Sequence, residues 1–360
     1  MIESLKLIEV FLDSAQVGRM ALSPDRRCLF EYNADWIRTG FSISPFYLPL
    51  RSGLFTARAE PFEGLFGVFN DSLPDGWGKL LTDRWLITKG IKPATLSVLD
   101  RLSLVGDTGM GALTYRPAQN DSSSGAIHPI SFYADEVQKI LNDDYTGSIE
   151  ELVNKAGSSG GARPKVMLSI DGQEWLIKFR ASSDPADVGI TEYKYSLLAK
   201  KSGIEMTKTH LFEGKYFGVR RFDRESGMRI HMHSASGLLY ASHRIPSMDY
   251  TDLLKATLTL TRDISESEKV FRQMVFNTLI GNKDDHAKNF AFVYRNGHWK
   301  VSPAYDLLPT EGFNGNHTTT INGKGNPSLS DCTEVAKLVS LPLKTANRII
   351  LEVRTALSCS

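Results

Sequence analysis

The stretch Gly281–Leu307 reads GNKDDHAKNFAFVYRNGHWKVSPAYDL, and it spaces three polar groups as phosphoryl transfer requires. Asp284 stands five positions before Asn289, which is the D-x-x-x-x-N spacing of a protein-kinase catalytic loop. FAFVY and HWKVS read as two apolar strands, and Arg295–Gly297 supplies a tight turn between them. Asp306 follows the second strand. The order of loop, hairpin and terminal aspartate predicts a kinase-like fold.

The chemistry of phosphoryl transfer explains why these residue types are needed. A phosphoryl group in transit spreads negative charge over its oxygens, so the protein must place Mg²⁺, position the acceptor hydroxyl and accept its proton. Asp284 is the predicted base, while Asn289 and Asp306 offer the hard oxygen ligands that magnesium prefers. Similar strings occur in loops where Asp and Asn merely shape turns, but the ordered hairpin favours the catalytic interpretation. His286 could brace the base or pack as a hydrogen-bonded loop histidine.

A helix is predicted just before the catalytic loop. Ser265 and Glu268 have the spacing of a capping box in front of VFRQMVFNTLIGN. Apolar residues then recur at helical spacing, on a face that we expect to lie in the core. This face consists of Val270, Phe271, Met274, Val275, Thr278 and Leu279. The helix would end at Gly281-Asn282 and deliver Asp284 from its C-terminal end.

A second constellation, the glycine-rich stretch Ala156–Lys165 (AGSSGGARPK), lies where a nucleotide could be held. VMLSI, the turn Asp171-Gly172 and EWLIKF predict a hairpin directly after it, so its backbone N–H groups could approach phosphate closely. Lys178 on the second strand is the predicted partner of the α- and β-phosphates. We expect its stem to lie against an apolar wall formed by its neighbours Trp175, Ile177 and Phe179.

Alternatives remain open for this second constellation. The stretch does not match the G-x-x-x-x-G-K-[ST] pattern, and a Gly-Ser-rich segment can also be a flexible linker. Glu192, within the predicted helix TEYKYSLLAKKSG, could pair with Lys178 as a kinase helix glutamate does, or could be an ordinary solvated surface charge.

Four motifs resemble the HipA-type toxin kinases of bacterial toxin and antitoxin systems. They are D-x-H-x-K-N-F at Asp284–Phe290, Y-D-L at Tyr305–Leu307, R-F-D-R at Arg221–Arg224 and G-A-x-x-K at Gly161–Lys165. FEYNADWIRTG, FNDSLPDGWGK and DRLSLVGDTGMGAL are similar to the small N-terminal domain of that family, so the resemblance covers nearly the whole chain. The sequence departs from the family at Arg220, where an acid is more common, and the chain is shorter than the best-known member.

The resemblance implies ATP and Mg²⁺ as cofactors, and it adds His286 and Lys288 to Asp284 in the catalytic set. It implies that Arg220–Phe222 form a hinge against adenine, that Asp223 reaches the ribose and that Gly160–Lys165 form a mobile phosphate loop. The full ATP-binding set is Gly160, Gly161, Ala162, Arg163, Pro164, Lys165, Lys178, Glu192, Arg220, Arg221, Phe222, Asp223, His286, Asn289, Tyr305 and Asp306, with Asn289 and Asp306 also binding the metal. Ser158 falls at the family's autophosphorylated serine, with Ser159 as a competing acceptor, and phosphorylation there is expected to inactivate.

The expected architecture is an α+β, two-lobed protein-kinase-like fold with a small strand-rich N-terminal domain and a mostly helical C-terminal lobe. The predicted regions are an N-terminal domain at 1–118, a linker and connecting helix at 119–150, a nucleotide-binding part at 151–237 and a helical catalytic lobe at 238–360. QVGRMAL, RCLFEY and PFYLPL read as strands, while helices are expected near 78–88 and 133–142 and a linker at 120–125.

Composition is consistent with this interpretation. The chain has 360 residues, 41% of them hydrophobic and 23% charged, with a net charge of +1, which suits a cytoplasmic enzyme and not a protein that binds nucleic acid by itself. No apolar run has transmembrane length, and the N-terminus lacks a signal-peptide pattern. The three cysteines are too dispersed for a disulfide framework or zinc site, and we interpret His231, His233 and His243 as structural.

We therefore expect an ATP- and Mg²⁺-dependent serine/threonine protein kinase. The resemblance implies that it acts as a toxin on a translation enzyme, such as an aminoacyl-tRNA synthetase, and is bound by a small helix-turn-helix (HipB-like) antitoxin that alone contacts DNA. No membrane partner is expected. Two alternatives stay open at this point: a kinase with a small-molecule acceptor, and a catalytically silent nucleotide-binding co-repressor.

Overall fold

The computed structural model describes residues 5–119, 128–144, 148–156, 160–312 and 314–358. The chain divides into two compact units. The first unit comprises Met1–Gly189 with His210–His231, and the second comprises Ile190–Thr209 with Met232–Ser360. The expected mixture of helix and strand is confirmed in both.

The first unit begins with a five-stranded sheet in the order β4-β3-β2-β1-β5. Its strands are β1 (Leu7–Leu12), β2 (Ala15–Leu22), β3 (Cys28–Tyr32), β4 (Phe55–Thr56) and β5 (Leu113–Arg116), all paired antiparallel. The helices around it are α1 (Ala34–Thr39), α2 (Gly67–Asn70), α3 (Gly76–Thr88) and α4 (Val98–Val105), with a 3₁₀ turn at Pro93–Thr95. The predictions of β2, β3 and α3 are confirmed.

The expected strand at PFYLPL is wrong, because this segment forms a turn. The backbone N–H groups of Tyr47 and Leu48 both donate to Ser44 O, at 3.1 and 2.7 Å. Pro45 and Pro49 lack the N–H that a strand would contribute to a ladder, which favours this turn over an added strand.

A four-stranded sheet in the order β6-β7-β9-β8 forms the second part of the first unit. It contains β6 (Lys165–Ile170), β7 (Gln173–Lys178), β8 (Thr209–Phe212) and β9 (Tyr216–Arg220), and it is accompanied by α5 (Ile130–Leu141), α6 (Ile149–Ala156), β10 (Arg224–Glu225) and β11 (Met228–Arg229). The helix α7 (Val188–Lys201) begins at Val188 in this unit and belongs to the second unit from Ile190 onward. The predicted hairpin is confirmed, since Asp171 and Gly172 have φ values of 52° and 68° and join β6 to β7. The expected linker at 120–125 lies outside the described residues.

The four-stranded sheet shares its core with helices that precede it in the chain. Trp77 and Leu81 of α3 are buried in the same cluster as the apolar face of this sheet. The cluster also contains Ile130, Tyr133, Val137, Ile140, Ile149, Leu152, Ala156, Val166, Leu168, Trp175, Ile177 and Phe179. The N-terminal segment therefore helps to build the support beneath the glycine-rich loop.

The second unit is mostly helical, as predicted, and it contains α7 from Ile190 onward. Its remaining elements are β12 (His231–Ser234), α8 (Ala235–Leu239), β13 (Met248–Asp249), α9 (Tyr250–Thr261), α10 (Ile264–Ile280), β14 (Ala291–Arg295), β15 (His298–Val301), β16 (Thr319–Thr320), α11 (Leu329–Leu338) and α12 (Leu343–Ser358). β14 and β15 form the predicted hairpin, with Asn296 and Gly297 at φ values of 50° and 80°. Within the described part of the chain, no helix is long and apolar enough to span a membrane.

Helix α10 ends as predicted but begins differently. Its N-cap is Asp263, whose side chain accepts a hydrogen bond from Ser265 N at 2.9 Å. The proposed Ser265–Glu268 capping box is wrong because the aspartate two positions earlier already caps the helix. At the other end, Gly281 takes a left-handed conformation with φ of 69° and opens the loop that follows.

Candidate active site

The segment after α10 is held in place mainly through its backbone. Thr310 Oγ1 accepts hydrogen bonds from Lys283 N at 3.0 Å and from Asp284 N at 2.8 Å. Thr318 N donates to Lys283 O at 3.0 Å. The side chain of Asp284 is exposed. A fixed backbone with an outward carboxylate is the arrangement that a catalytic base requires.

Asn289 lies close to Asp284 in the same loop. It ends a 3₁₀ turn, Ala287–Asn289, and is 8% exposed. Its Nδ2 donates to Asp284 O at 2.8 Å, which fixes the orientation of the side-chain amide. The amide oxygen is then left as the group able to face a metal ion.

The neighbouring residues His286 and Lys288 complete the loop. His286 is half-buried, and its Nδ1 is buried with no hydrogen-bond partner among the described residues. Lys288 O accepts a hydrogen bond from the hydroxyl of Tyr305 at 2.6 Å. That bond ties the loop to the Y-D-L motif beyond the hairpin, although the two lie seventeen positions apart in sequence.

Asp306 is held at the end of the hairpin in a strained backbone conformation. Its φ is 55°, in the left-handed region that non-glycine residues seldom occupy. Asn282 Nδ2 donates to Asp306 O at 3.1 Å and supports this conformation from the start of the catalytic loop. The three predicted residues Asp284, Asn289 and Asp306 therefore belong to one hydrogen-bonded region of the second unit.

The donors in this region suit Mg²⁺ better than a transition metal. Asn289 and Asp306 offer one amide oxygen and one carboxylate, and magnesium takes few protein ligands because it retains several waters. Among the residues that the structure describes, no cluster of three or more His, Cys, Asp or Glu side chains is arranged to hold a metal ion. His231 Nε2 lies 2.9 Å from Ile43 O.

Asp285, which sequence reasoning passed over, is the buried counterpart of Asp284. It is 0% exposed, and four donors satisfy its carboxylate. Oδ1 accepts from Thr318 N at 3.0 Å and from Thr319 N at 3.2 Å, and Oδ2 accepts from the Tyr250 hydroxyl at 3.0 Å and from His317 Nδ1 at 2.8 Å. No local signal separates the two aspartates of the D-D pair, because the donors come from distant parts of the chain.

In the first unit, the glycine-rich loop is clamped by the D-G-W segment of the N-terminal region. Gly161 has φ of 92°, and its N–H donates to Asp75 Oδ1 at 2.6 Å. Its carbonyl oxygen accepts from Trp77 N at 3.1 Å. A Cβ at Gly76 would overlap this carbonyl, so glycine is required there for close approach. Ser158 and Ser159 lie outside the described residues.

The other members of this loop are also held by polar contacts. Lys165 is buried, and its Nζ donates to Gly160 O. Arg163 Nε donates to both carboxylate oxygens of Asp184, at 3.2 and 3.1 Å. Ala162 and Pro164 lie between these anchors, and Phe179 N donates to Pro164 O at 2.8 Å. Polar contacts therefore hold the loop Gly160–Lys165 at several points.

Lys178 is placed at the end of β7, opposite Lys165 in the strand register. The expectation that its stem lies against Trp175, Ile177 and Phe179 is wrong, because alternate residues of a strand point to opposite faces. Those three side chains face the apolar core. Lys178 Nζ instead lies 5.6 Å from the centre of the Phe217 ring, on the neighbouring strand β9.

Glu192 is not an ordinary surface charge. It lies in α7 of the second unit and is 4% exposed, which rules out the alternative of a solvated glutamate. Buried carboxylates require partners or a functional role, so the kinase-helix interpretation remains a proposal for this residue.

The R-F-D-R motif forms a buried ion-pair cluster in the first unit. Arg221 donates to Asp223 through Nε at 2.9 Å and Nη2 at 2.7 Å, and Arg224 Nη1 donates to Asp223 Oδ2 at 2.8 Å. Gly111 N donates to the same oxygen at 2.7 Å. Burial by itself would raise the pKa of Asp223, but the two arginines and the Gly111 hydrogen bond hold the pKa at about 2.

These contacts give Asp223 a structural position. Its carboxylate is 0% exposed and links β9 to the N-terminal region at Gly111. The ribose contact that the resemblance implies would require this carboxylate to leave a bidentate ion pair. Arg220 and Phe222, which flank Arg221, are half-buried and keep some exposed surface for a nucleotide base.

Comparison with known proteins matches both parts of the chain. The model of the HipA-like C-terminal domain matches residues 157–359, and the HipA N-terminal domain matches residues 8–116. The chain belongs to the HipA family. The predicted family and fold class are thereby confirmed.

Relatives carry kinase names and share moderate identity with this HipA-family chain. The serine/threonine-protein kinase toxin HipA of Shewanella oneidensis is 23% identical over 341 residues, covering 85% of this chain and 76% of that protein. Y4dM of Sinorhizobium fredii, provisionally named a kinase, is 23% identical over 351 residues, which cover 88% of this chain and 80% of that protein. A solved structure of Shewanella oneidensis HipA with HipB and operator DNA superposes with a TM-score of 0.71 at 18% identity, covering 96% and 88% of the two chains. At this identity the superposition shows the fold alone.

Proposed function

We propose that this HipA-family chain is an ATP- and Mg²⁺-dependent serine/threonine protein kinase and the toxin of a type II toxin-antitoxin system. The observation that carries the proposal is the exposed Asp284 carboxylate on a backbone fixed by Thr310, with Asn289 and Asp306 tied into the same hydrogen-bonded region. That combination supplies a base and two oxygen ligands. The kinase names of its relatives support the same class of reaction.

The proposed reaction transfers the γ-phosphoryl group of ATP to a hydroxyl. Asp284 accepts the proton of the acceptor serine or threonine as its oxygen forms the new bond to phosphorus. The bond from that phosphorus to the β–γ bridging oxygen breaks, and ADP leaves. Asn289 and Asp306 would hold Mg²⁺, which when bound neutralises phosphate charge and aligns the leaving oxygen.

On the nucleotide side, we assign Lys178 and the loop Gly160–Lys165 to the phosphates of ATP. Arg220 and Phe222 remain the proposed contacts of the adenine, and Glu192 the proposed partner of Lys178. Autophosphorylation of Ser158 or Ser159 would add nearly two negative charges directly before this loop. Those charges would compete with ATP phosphates for the same donors and lower activity.

The proposed partner is a small HipB-like helix-turn-helix antitoxin. The Shewanella oneidensis relative is seen with HipB and operator DNA, which supports an indirect contact with DNA for this chain as well. Such a complex would place the protein in the cytoplasm. The proposed target is a translation enzyme, such as an aminoacyl-tRNA synthetase.

Incubation with labelled ATP and Mg²⁺ tests this proposal. Wild type and Asp284→Gln are compared alone and in bacterial lysate, followed by mass spectrometry of the phosphorylated sites. The exposed helix residue Asp252, changed to glutamine, is the matched control. We expect one dominant lysate protein labelled by wild type and control but not by Asp284→Gln. Label confined to small molecules would favour a small-molecule kinase, and no Asp284-dependent transfer would favour a silent co-repressor.

A further inference from the structure

A relay of buried polar side chains connects Asp285, the neighbour of the proposed base Asp284, to the backbone of the proposed metal ligand Asp306. From Asp285 Oδ2 it passes to the Tyr250 hydroxyl at 3.0 Å, which accepts from Asn277 Nδ2 at 3.0 Å. Asn277 Oδ1 then accepts from Asn282 Nδ2 at 3.1 Å. Asn282 Nδ2 also donates to Asp306 O at 3.1 Å, so the relay ends at the backbone of Asp306.

Every member of the relay is inaccessible to solvent or nearly so. Tyr250 and Asp285 are 0% exposed, Asn277 is 1% exposed and Asn282 is 2% exposed. Buried hydrogen bonds of this kind are strong when all partners are present, and they specify one arrangement of the chain. The relay joins α9, α10, the catalytic loop and the end of the hairpin, which are four separate segments.

The side chain of Asp285 acts as a hydrogen-bond acceptor on both oxygens. Its carboxylate receives two donors on each oxygen, so an amide in its place would turn an N–H group toward other donors. Thr319 Oγ1 also donates to Asp285 O at 2.5 Å. Asp285 is fixed inward from several sides, whereas its neighbour Asp284 is exposed.

We propose that Asp285 and the relay Tyr250–Asn277–Asn282 are positioning residues that fix Asp284 and Asp306 at the separation required for phosphoryl transfer. The inference rests on the proposed kinase function and deepens it. These residues do not touch substrate. They set the geometry of two groups that do, and small displacements of such groups reduce turnover strongly. A purely structural network would instead affect stability alone.

The variant Tyr250→Phe removes one hydroxyl from the middle of the relay and keeps the ring. Tyr115→Phe is its matched control, because Tyr115 is 1% exposed and donates one buried hydrogen bond, to Ser72 Oγ at 2.6 Å, in the first unit. Both proteins are assayed at a temperature where urea titration shows them folded. We expect kcat to fall about 10- to 100-fold in Tyr250→Phe, which is the usual effect of losing a group that orients a metal ligand through a hydrogen bond. ATP affinity should stay unchanged. The control should retain wild-type kcat.

A second variant guards against a loss of folding in the first. Asn277→Ala interrupts the same relay at another point, and the double variant Tyr250→Phe/Asn277→Ala tests whether the two act as a unit. We expect the double variant to lose no more kcat than the worse single variant, since independent losses would multiply. If the wild type is active but kcat is equal in Tyr250→Phe and Tyr115→Phe, the positioning role of the relay is contradicted. The same holds if the kcat losses of Tyr250→Phe and Asn277→Ala multiply in the double variant. Neither result would contradict the proposed kinase function. A wild type without any phosphoryl transfer overturns the proposed function itself.

Discussion

Asp223 is a single residue that is both fully buried and charged. It is enclosed with Arg221 and Arg224, and its replacement by asparagine would leave the buried guanidinium of Arg221 and the partly buried one of Arg224 without their ion-pair partner. Breaking a buried pair in this way costs about 3 to 5 kcal/mol, so Asp223→Asn should lower the free energy of unfolding by that amount in urea titration. Asp35→Asn, which breaks the exposed pair with Arg38, should cause no measurable change. Equal effects of the two variants would contradict the cluster's role.

The pH dependence of the same residue follows from its lowered pKa. In the unfolded chain an aspartate has a pKa of about 3.9. In the folded chain burial raises the pKa of Asp223, but Arg221 and Arg224 lower it more, so that the folded pKa is about 2. The ionised form therefore contributes stability that is fully present above the unfolded value and is lost as the pH falls through the folded value. We expect the gap in unfolding free energy between wild type and Asp223→Asn to stay constant from neutral pH down to about 5 and to narrow below about 4. A gap that widens in acid would refute this assignment.

The adjacent residues Asp284 and Asp285 are both candidates for the catalytic base. Spacing alone selects Asp284 over Asp285, and we propose the same choice on structural grounds because Asp284 is exposed and Asp285 is buried. The inward role of Asp285 could not be predicted. Its donors Tyr250 and His317 are 35 and 32 positions away, and no local pattern brings them together.

At the scale of the element, both hairpins could be predicted because their turns are determined locally. Asp171-Gly172 and Asn296-Gly297 are residue pairs that accept positive φ, and each sits between apolar runs. The prediction for Lys178 is wrong because side chains alternate along a strand, so Lys178 points away from the face that carries Trp175, Ile177 and Phe179. The N-cap of α10 was misplaced by two residues, since several capping side chains stand close together there.

The contact between α3 and the glycine-rich loop gives a prediction for a pair of glycines. Gly76 and Gly90 flank α3 with φ values of 43° and 75°, and a Cβ at Gly76 would meet Gly161 and Ala162, whereas Gly90 faces open space. Gly90→Ala should cost about 1 kcal/mol in unfolding free energy because of its left-handed backbone, and Gly76→Ala should cost more, because its Cβ would also meet backbone atoms. Only Gly76→Ala should also displace the loop, and calorimetry should show ATP·Mg²⁺ binding weakened about 10-fold. Unchanged ATP·Mg²⁺ binding in Gly76→Ala would show that the contact between α3 and Gly161 does not determine the conformation of the glycine-rich loop.

In the first unit, the N-terminal region and the four-stranded sheet share one core. Residues 128–360 without α3 would lose Trp77 and Leu81 from the cluster beneath the sheet. Losing two large buried side chains costs about 5 to 10 kcal/mol, comparable with the entire stability of a typical domain. In this fragment the four-stranded sheet is expected to be unfolded, which circular dichroism would show as a loss of strand signal. Co-expression with residues 1–118 should restore it, and a fragment that folds alone would contradict the shared core.

We propose Asp284 as the base of an ATP-dependent phosphoryl transfer. The most direct measurement compares single-turnover transfer from labelled ATP and equilibrium ATP·Mg²⁺ binding in wild type, Asp284→Asn and Asp252→Asn. Removal of a general base typically costs about 10²- to 10⁴-fold in rate, so transfer by Asp284→Asn should fall by that factor while ATP binding stays within about threefold of wild type. The Asp252→Asn control should match wild type in both. Undiminished transfer by Asp284→Asn would contradict the account.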